Sequence, residues 1–218
     1  MRKKLQRFQD NAERGNVIEK GKPIFESIKG NWSDHFQNNN PIVVEVGCGK
    51  GEYTIGLGEK FPGKNFVGID IKGARIWVGS TYAIENNLTN VSFLRTDVLY
   101  LTDLFDENEV SEIWVTFPDP RPKDRDEKRR LTSLRYMTMY RSILQEEGWL
   151  KFKTDNTKLF DYTLELLQSE VKVRNLEYTH DLYESHLMEE HFGVKTKYEQ
   201  LFHAQGESIK YLKFQFDS

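Results

Sequence analysis

Short apolar runs recur along the chain and are separated by longer polar or amphipathic stretches. Five of these runs are rich in β-branched and aromatic residues: PIVVEVG (41–47), NFVGID (65–70), VSFLRTD (91–97), SEIWVTF (111–117) and WLKFKTD (149–155). Near-continuous apolar runs of this length are typical of parallel strands that are covered on both faces. The intervals between them leave room for crossover helices. The pattern therefore predicts repeated βα units in a right-handed, doubly wound α/β sheet.

The same pattern predicts four helices and one further strand. The helices are expected over 52–60, 73–87, 126–146 and 156–168, and Gly148 is expected to cap the third at its C-terminus. The closing SIKYLKFQF (208–216) alternates, with one almost purely apolar face, as an edge or antiparallel strand does.

The N-terminal residues differ from the rest of the chain. After a first basic segment, residues 1–40 lack strong periodicity, and FQNNNP (36–41) is typical of a linker. We therefore expect a basic, helical N-terminal extension at 1–40 and one α/β domain at 41–218, which suits a chain of 218 residues.

Composition indicates a globular, intracellular protein. Hydrophobic residues make up 38% of the chain and charged residues 30%, and no apolar run approaches the roughly 20 residues that span a bilayer. The opening MRKKLQRFQDNAERG lacks the apolar stretch of a secretory signal, and Cys48, as the single cysteine, excludes an internal disulfide. His186 and His191 do not have the i, i+4 spacing of a zinc-protease helix. We expect a cytoplasmic protein with no metal site, no membrane segment and no obligatory protein partner.

Positive charge is concentrated in two segments of a chain whose net charge is −3. Residues 121–135 hold seven Arg and Lys against three acids, and residues 1–29 hold eight against four. Such local asymmetry predicts a surface for an anionic partner, and the alternative is a solvated helix face.

A glycine-rich loop follows the first predicted strand. In EVGCGKGEYT (45–54), Gly47, Gly49 and Gly51 allow a tight turn and a close approach of the backbone to a ligand at the start of a helix. The spacing is G-x-G-x-G rather than the G-x-G-x-x-G of a dinucleotide site. Glu45, two residues before the first glycine, suits a ligand that carries ammonium and sulfonium charge.

Two further acids follow the next strands. Asp70 ends the second predicted strand, where a carboxylate accepts hydrogen bonds from ribose hydroxyls, and Asp97 follows the third. The ordered set matches S-adenosylmethionine, with Glu45 near the methionine, Asp70 at the ribose and Asp97 near the adenine amine. Taken singly, Asp97 could be a turn or helix cap, and Glu45 a satisfied polar group.

The fourth strand ends in FPDPRP (117–122). Its three prolines are expected to push the residues before them toward extended backbone, so that the carboxylate of Asp119 is presented with little freedom. The alternative is a proline-rich strand exit in which Asp119 is a turn or cap residue. The arginines and lysines that follow are expected on the third helix.

These strings together resemble a known family, the bacterial tRNA (guanine-N7-)-methyltransferases. The resemblance is carried by EVGCGKGEYT, FPDPRPKDRDEKRRL (117–131), KTDN (153–156) and TKYE (196–199), and it extends from the first predicted strand nearly to the C-terminus. The sequence departs from the family at Arg121, where Trp is usual, at Asp124, where a basic residue is usual, and at Asp126, where His is frequent.

The resemblance implies a Rossmann-like, class I methyltransferase sheet of seven mostly parallel strands with an antiparallel last strand. It implies S-adenosylmethionine as cofactor and tRNA as partner, with methyl transfer to guanine N7, expected at guanosine 46 of the variable loop. Asp119 would be the catalytic residue. The cofactor would be bound by Glu45, Gly47, Gly49, Gly51, Asp70, Asp97 and Asp119. The substrate would be bound by Lys123, Asp155, Thr196, Lys197, Tyr198 and Glu199, and the RNA by Arg125, Lys128, Arg129 and Arg130.

Two other functions remain open at the level of sequence. An amino methyltransferase acting on adenine or on a protein glutamine also has a proline-rich loop after strand four, but its loop places an acid or amide before two prolines and an aromatic after them. A non-catalytic RNA-binding module would explain the basic segments but not the ordered acids around the glycine loop.

Overall fold

The computed structural model describes residues 2–217, so residues 1 and 218, at the outer ends of the two predicted segments, lie outside the described residues. Within residues 2–217 the chain forms eight α-helices and eight strands. The strands are β1 (Val17–Glu19), β2 (Ile42–Val46), β3 (Asn65–Ile69), β4 (Val91–Arg95), β5 (Val110–Thr116), β6 (Leu144–Thr154), β7 (Val173–Thr179) and β8 (Lys210–Phe216). The helices are α1 (Arg2–Glu13), α2 (Pro23–Ser27), α3 (Trp32–Phe36), α4 (Glu52–Lys60), α5 (Gly73–Glu85), α6 (Leu134–Ile143), α7 (Thr157–Ser169) and α8 (Lys197–Ala204).

One twisted sheet contains all eight strands, in the order β1-β4-β3-β2-β5-β6-β8-β7. Strands β1 to β6 pair in parallel, whereas β8 runs antiparallel to both β6 and β7. The predicted α/β class, the parallel pairing and the antiparallel last strand are confirmed. Helix α4 has the predicted bounds, and α5 and α7 lie within two residues of theirs.

The strand count exceeds the prediction by one because residues 17–19 join the edge of the sheet. Val17 and Ile18 are fully buried, and the segment pairs in parallel with β4, Val17 opposite Phe93. Arg95 of β4 donates to Glu19 Oε2 at 3.0 Å. Three residues are too few to show a strand period, so the sequence pattern could not reveal this element.

The predicted helix over 126–146 is wrong at both ends. Asp124–Arg129 form a 3₁₀-helix, the backbone is extended at Arg130, and α6 begins only after Ser133. Helix α6 ends at Ile143, so Gly148 is not its cap but lies inside β6. Gly148 occupies the stretch where the β5–β6 register shifts, and a Cβ there would meet the Leu144 side chain at 2.6 Å.

Each face of the sheet is covered by its own layer, because successive side chains of a strand point to opposite faces. Val44 and Val46 of β2 belong to the core under α2, α3, α6 and α7. Val43 belongs to a second core, which includes Tyr53 of α4 and Ile76 of α5. Within residues 2–217, every helix is too short or too polar to cross a bilayer.

Residues 180–209, which connect β7 to β8, complete the second layer and are called here the cover segment. It contains a 3₁₀-helix at His186–His191 and then α8. Phe192 meets the Phe61 ring edge-on at 5.0 Å, and a Cβ on Gly56 would meet Val194 at 2.5 Å, so the cover segment packs closely on α4. It therefore lies against the helix that the glycine loop begins.

Candidate active site at the carboxyl edge of the sheet

The glycine loop adopts the tight turn that its sequence predicts. Gly47, Gly49 and Gly51 all have positive φ, at 75°, 60° and 75°. Gly51 precedes the first residue of α4, and a Cβ on it would overlap the ring of Phe93. A side chain at Gly51 is thus excluded by both backbone and space.

Glu45 lies beneath this loop and is 4% exposed. Its Oε2 accepts from the Thr54 amide at 2.9 Å and from the Thr54 hydroxyl, and its Oε1 accepts from Thr116 Oγ1 at 2.6 Å. Burial raises the pKa of Glu45 to about 7, against the opposing effect of the Thr116 and Thr54 hydrogen bonds. Glu45 is therefore a satisfied buried group that ties the loop to β5, and a carboxylate with three accepted bonds keeps room for about one more.

Asp70 connects the glycine loop to α5. Its Oδ2 accepts from the Gly49 amide at 3.0 Å, and its Oδ1 accepts from the Lys72 amide at 2.7 Å. The next residue, Ile71, is 56% exposed although it is apolar. Ile71 was missed by sequence reasoning, and the signal was an isoleucine that directly follows a strand-end acid. It gives this edge an apolar surface beside the carboxylate.

Asp97 is an exposed helix cap. It precedes a 3₁₀-helix at Val98–Asp103, and its Oδ1 accepts from the Leu99 amide at 3.0 Å. The cap interpretation is confirmed, whereas the contact with adenine stays a prediction.

Asp119 projects from the edge, with its side chain 65% exposed. Its Oδ1 accepts from the Arg121 amide at 3.3 Å, and its Oδ2 lies 3.2 Å from Arg121 Nε. The prediction that Phe117 and Arg121 are extended is wrong, since both have a φ of 45°. A proline disfavours the right-handed helical region for the residue before it, and at these two positions the chain turns through the left-handed region instead.

The basic residues behind this loop divide into two groups. Arg125, Lys128 and Arg129 are exposed on the 3₁₀-helix. Arg130 is instead directed into the protein: its Nε donates to the Arg121 carbonyl at 3.2 Å, and its guanidinium lies 4.3 Å from the centre of the Tyr162 ring. The sequence pattern predicted one role for the four residues, but the structure leaves three of them facing solvent.

The substrate-side residues lie at the ends of β6 and α8 and beside the loop. Lys123 is exposed and precedes the 3₁₀-helix. Asp155 follows β6 and lines a cleft of about 360 Å³ together with Phe202 and Glu207. Burial raises the pKa of Asp155 above its ordinary value. Phe202 stacks at 6.5 Å on Phe117, the first residue after β5, so α8 adjoins the Asp119 loop.

Helix α8 is fixed at its N-terminus by two hydrogen bonds. Thr196 Oγ1 accepts from the Glu199 amide at 3.1 Å, and the Lys197 amide donates to Glu52 Oε2, at the start of α4, at 2.7 Å. Tyr198 is 55% exposed. The helix is thereby joined to the end of the glycine loop.

Glu199 differs from the other substrate-side residues because it is completely buried. Its Oε2 lies 2.8 Å from Lys153 Nζ, and its Oε1 lies 2.7 Å from His191 Nε2 and 3.0 Å from the Tyr183 hydroxyl. Burial opposes its ionisation, but His191 and Lys153 outweigh that effect and leave the pKa of Glu199 below its ordinary value. Lys153 and His191 were missed by sequence reasoning, which treated KTDN only as the string containing Asp155.

The parallel strands bring the predicted groups to one edge. Acids stand in β2 or after β3, β4, β5 and β6, and α8 borders the same edge from the cover segment. Among residues 2–217, the side chains form no group of three or more metal-ligating residues.

Comparison with known proteins agrees with this arrangement. A family model described as a putative methyltransferase matches residues 39–212. A tRNA (guanine-N(7)-)-methyltransferase of Cytophaga hutchinsonii is 48% identical over 216 residues, which cover 99% of this chain and 98% of that protein.

Solved structures share the fold at low sequence identity. A 30S ribosomal A1408 methyltransferase from an uncultured bacterium superposes with a TM-score of 0.59 at 14% identity, covering 92% of this chain and 98% of that one. A 16S rRNA (adenine(1408)-N(1))-methyltransferase variant with the cosubstrate SAM, from Catenulisporales acidiphilia, gives a TM-score of 0.58 at 12% identity, covering 87% and 91%. The predicted class I methyltransferase fold is thus confirmed. With near-complete coverage by a relative of 48% identity, this chain belongs to the family of tRNA (guanine-N(7)-)-methyltransferases.

Proposed function

We propose that this chain transfers the methyl group of S-adenosylmethionine to N7 of guanosine 46 in the variable loop of tRNA, giving 7-methylguanosine. The observation that carries the proposal is the 48% identity to a tRNA (guanine-N(7)-)-methyltransferase along almost the whole of both chains. Family membership makes the chain an S-adenosylmethionine-dependent enzyme that acts on tRNA. Position 46, a cytoplasmic location, and independence of metals and of protein partners are the finer parts of the proposal.

The residues at the carboxyl edge fit the cofactor chemically. Space beside Gly49 is open, since a Cβ there would meet nothing within 4 Å, and the acids around it suit a cationic ligand. The cofactor-binding set would be Glu45, Gly47, Gly49, Gly51, Asp70, Asp97 and Asp119. When bound, S-adenosylmethionine supplies an electrophilic methyl group on a sulfonium.

Asp119 is proposed as the catalytic residue. Guanine N7 carries an in-plane lone pair, so the enzyme needs no strong base and must instead position the purine and balance the positive charge that it gains. A carboxylate beside the purine favours the charged transition state over the neutral base, which is differential binding. Asp119 is exposed at the edge and tethered only by Arg121, so it is available for this contact.

The guanine is proposed to enter the cleft beside Asp155. That carboxylate would accept from the N1–H and the exocyclic amine, and Phe202 offers an aromatic surface in the same cleft. A base held within folded RNA must be exposed before it reaches such a site, and aromatic faces stabilise unstacked bases. The remaining substrate-binding residues would be Lys123, Thr196, Lys197, Tyr198 and Glu199.

The RNA backbone is proposed to contact the 3₁₀-helix behind the Asp119 loop. Arg125, Lys128 and Arg129 are exposed and can meet phosphates, which gives attraction without sequence selection. Arg130, held by the Arg121 carbonyl, would support the loop more than it contacts RNA.

The proposal is tested with labelled cofactor and two tRNA transcripts that differ only in guanosine or adenosine at position 46. Label should enter the first transcript alone, and nucleoside analysis should give 7-methylguanosine. Equal labelling of both transcripts would reject position 46, and a labelled adenosine product would reject N7 chemistry. No transfer to any tRNA, with the cofactor bound, would leave the RNA-binding module as the better explanation.

A further inference from the structure

Lys153 is a buried cation for which the proposed reaction has no direct use. It lies in β6, two residues before Asp155, and its side chain is 1% exposed. Because alternate residues of a strand share a face, Lys153 and Asp155 both point toward the cover segment. The Lys153 ammonium lies 2.8 Å from Glu199 Oε2, inside the protein.

Glu199 passes this contact on to two further parts of the cover segment. The His191 ring accepts from the Gly193 amide at Nδ1, at 3.1 Å, so its Nε2 carries the proton that reaches Glu199 Oε1 at 2.7 Å. Tyr183 donates its hydroxyl to the same oxygen at 3.0 Å. One carboxylate therefore joins β6, the end of the 3₁₀-helix and α8.

The ammonium also stands where the three parts of the active site meet. It lies 4.6 Å from the centre of the Tyr53 ring, in the first turn of α4 after the glycine loop. It lies 5.8 Å from the Phe117 ring, at the start of the Asp119 loop. Through Glu199 it holds α8, whose first residues are the proposed substrate contacts.

Stability alone is a poor reason for such a pair. The desolvation of two buried charges largely cancels their attraction, and apolar residues of similar volume often stabilise a fold as well or better. A buried ion pair does, however, fix the relative position of the two elements that carry it, because any shift leaves both charges without a partner. Geometry, rather than stability, is what this pair offers.

We propose that Lys153 is a positioning residue: through Glu199 it fixes α8 on the sheet, so that Thr196, Lys197 and Tyr198 face the tRNA site. This inference rests on the proposed tRNA methylation. It assigns Glu199 an indirect role, in which the carboxylate orients the substrate-binding helix from below instead of touching the guanine.

The test compares Lys153→Met with Lys151→Met. Lys151 is a matched control because it lies on the same strand and face, is 8% exposed and also pairs with the cover segment, at Glu190 Oε2, 2.7 Å away. Its partner belongs to the 3₁₀-helix rather than to α8. Both variants are assayed for the KM for tRNA, kcat, cofactor affinity and hydrogen exchange of the α8 amides.

We expect Lys153→Met to raise the KM for tRNA by about tenfold or more, with cofactor affinity within about twofold of the parent, and to speed exchange in α8. Lys151→Met should change the KM by less than about threefold. If the two variants raise the KM alike, or if Lys153→Met leaves it unchanged, the positioning role is rejected.

A double variant protects the test against misfolding. Lys153→Met with Glu199→Gln removes both charges, so neither is left uncompensated, and the new glutamine side chain keeps an oxygen for His191 and Tyr183. Its KM should be raised about as much as in Lys153→Met alone, because the two residues act as one unit, whereas the product of two separate losses would indicate independent roles. If the parent protein transfers no methyl to tRNA, the proposed function has failed, and unchanged α8 exchange in Lys153→Met would separately overturn the positioning role.

Discussion

Replacing Glu45 with glutamine should change how the stability of the protein depends on pH. Glutamine keeps an acceptor for Thr54 and can donate to Thr116, so the hydrogen bonds that hold the glycine loop are retained in number. What the substitution removes is a carboxyl whose pKa burial raises to about 7 in the folded protein, from 4.5.

The sign and size of the effect follow from proton linkage. Between pH 4.5 and 7 the folded protein keeps a proton on Glu45 that the unfolded chain has lost, so the free energy of unfolding falls as pH rises. At about 1.4 kcal/mol per pKa unit, the loss approaches about 3 kcal/mol by pH 8. The glutamine variant lacks this contribution and should gain on the parent by about that amount between pH 4.5 and 8.

Urea denaturation of both proteins without cofactor, at four pH values between 5 and 8, measures this difference. Glu165→Gln, at an exposed position of α7, controls for the general loss of a carboxylate. Stability curves that run parallel for the parent and Glu45→Gln across this range would refute the reasoning, since they would mean that Glu45 titrates alike in the folded and unfolded chains.

Four further outcomes are expected at the active site. Below pH 7, affinity for S-adenosylmethionine should fall in the parent but not in Glu45→Gln, since a cationic ligand favours the ionised carboxylate; equal pH profiles in titration calorimetry would contradict a contact there. Asp70→Ala should weaken cofactor binding by about 1.5–3 kcal/mol, the value of charged hydrogen bonds, and unchanged affinity would remove Asp70 from the cofactor site. Neutralising Arg125, Lys128 and Arg129 should flatten the log–log salt dependence of tRNA binding by roughly 0.7–0.9 for each phosphate that the protein no longer neutralises, with little more from Arg130; an unaltered slope would mark a merely solvated face. Asp119→Asn should slow single-turnover methylation at saturating tRNA and cofactor on the order of a hundredfold while the tRNA dissociation constant holds, and methyl transfer at the parent rate would make Asp119 a structural loop residue.

The elements that the sequence predicted well are those governed by local rules. Strands β2 to β6 are recognisable as apolar runs because both of their faces are covered, and α4 starts where the glycines end. The acids at the carboxyl edge followed from the same rule, because parallel strands end on one side of a sheet. Local composition also revealed the basic stretch at 121–135, although not its shape.

Tertiary structure decided what local patterns cannot encode. Residues 17–19 become a strand only because the edge of β4 offers them partners, and the segment after Arg130 is extended rather than helical, with Thr132 and Ser133 buried before α6 begins. In the sequence Arg130 resembles one more phosphate ligand, whereas in the structure its guanidinium lies over Tyr162.

The clearest case is Lys153 and Glu199, which belong to separate motifs far apart in the chain. Nothing in the period of either segment specifies their contact; it exists because the cover segment crosses the sheet and brings α8 down onto β6. Periodicity fixes which face of an element is buried, whereas the identity of the buried partner depends on how elements distant in sequence pack. For this protein the sequence therefore determined the kind of sheet and its reactive edge, and the packing of the cover segment decided which charges hold that edge in place.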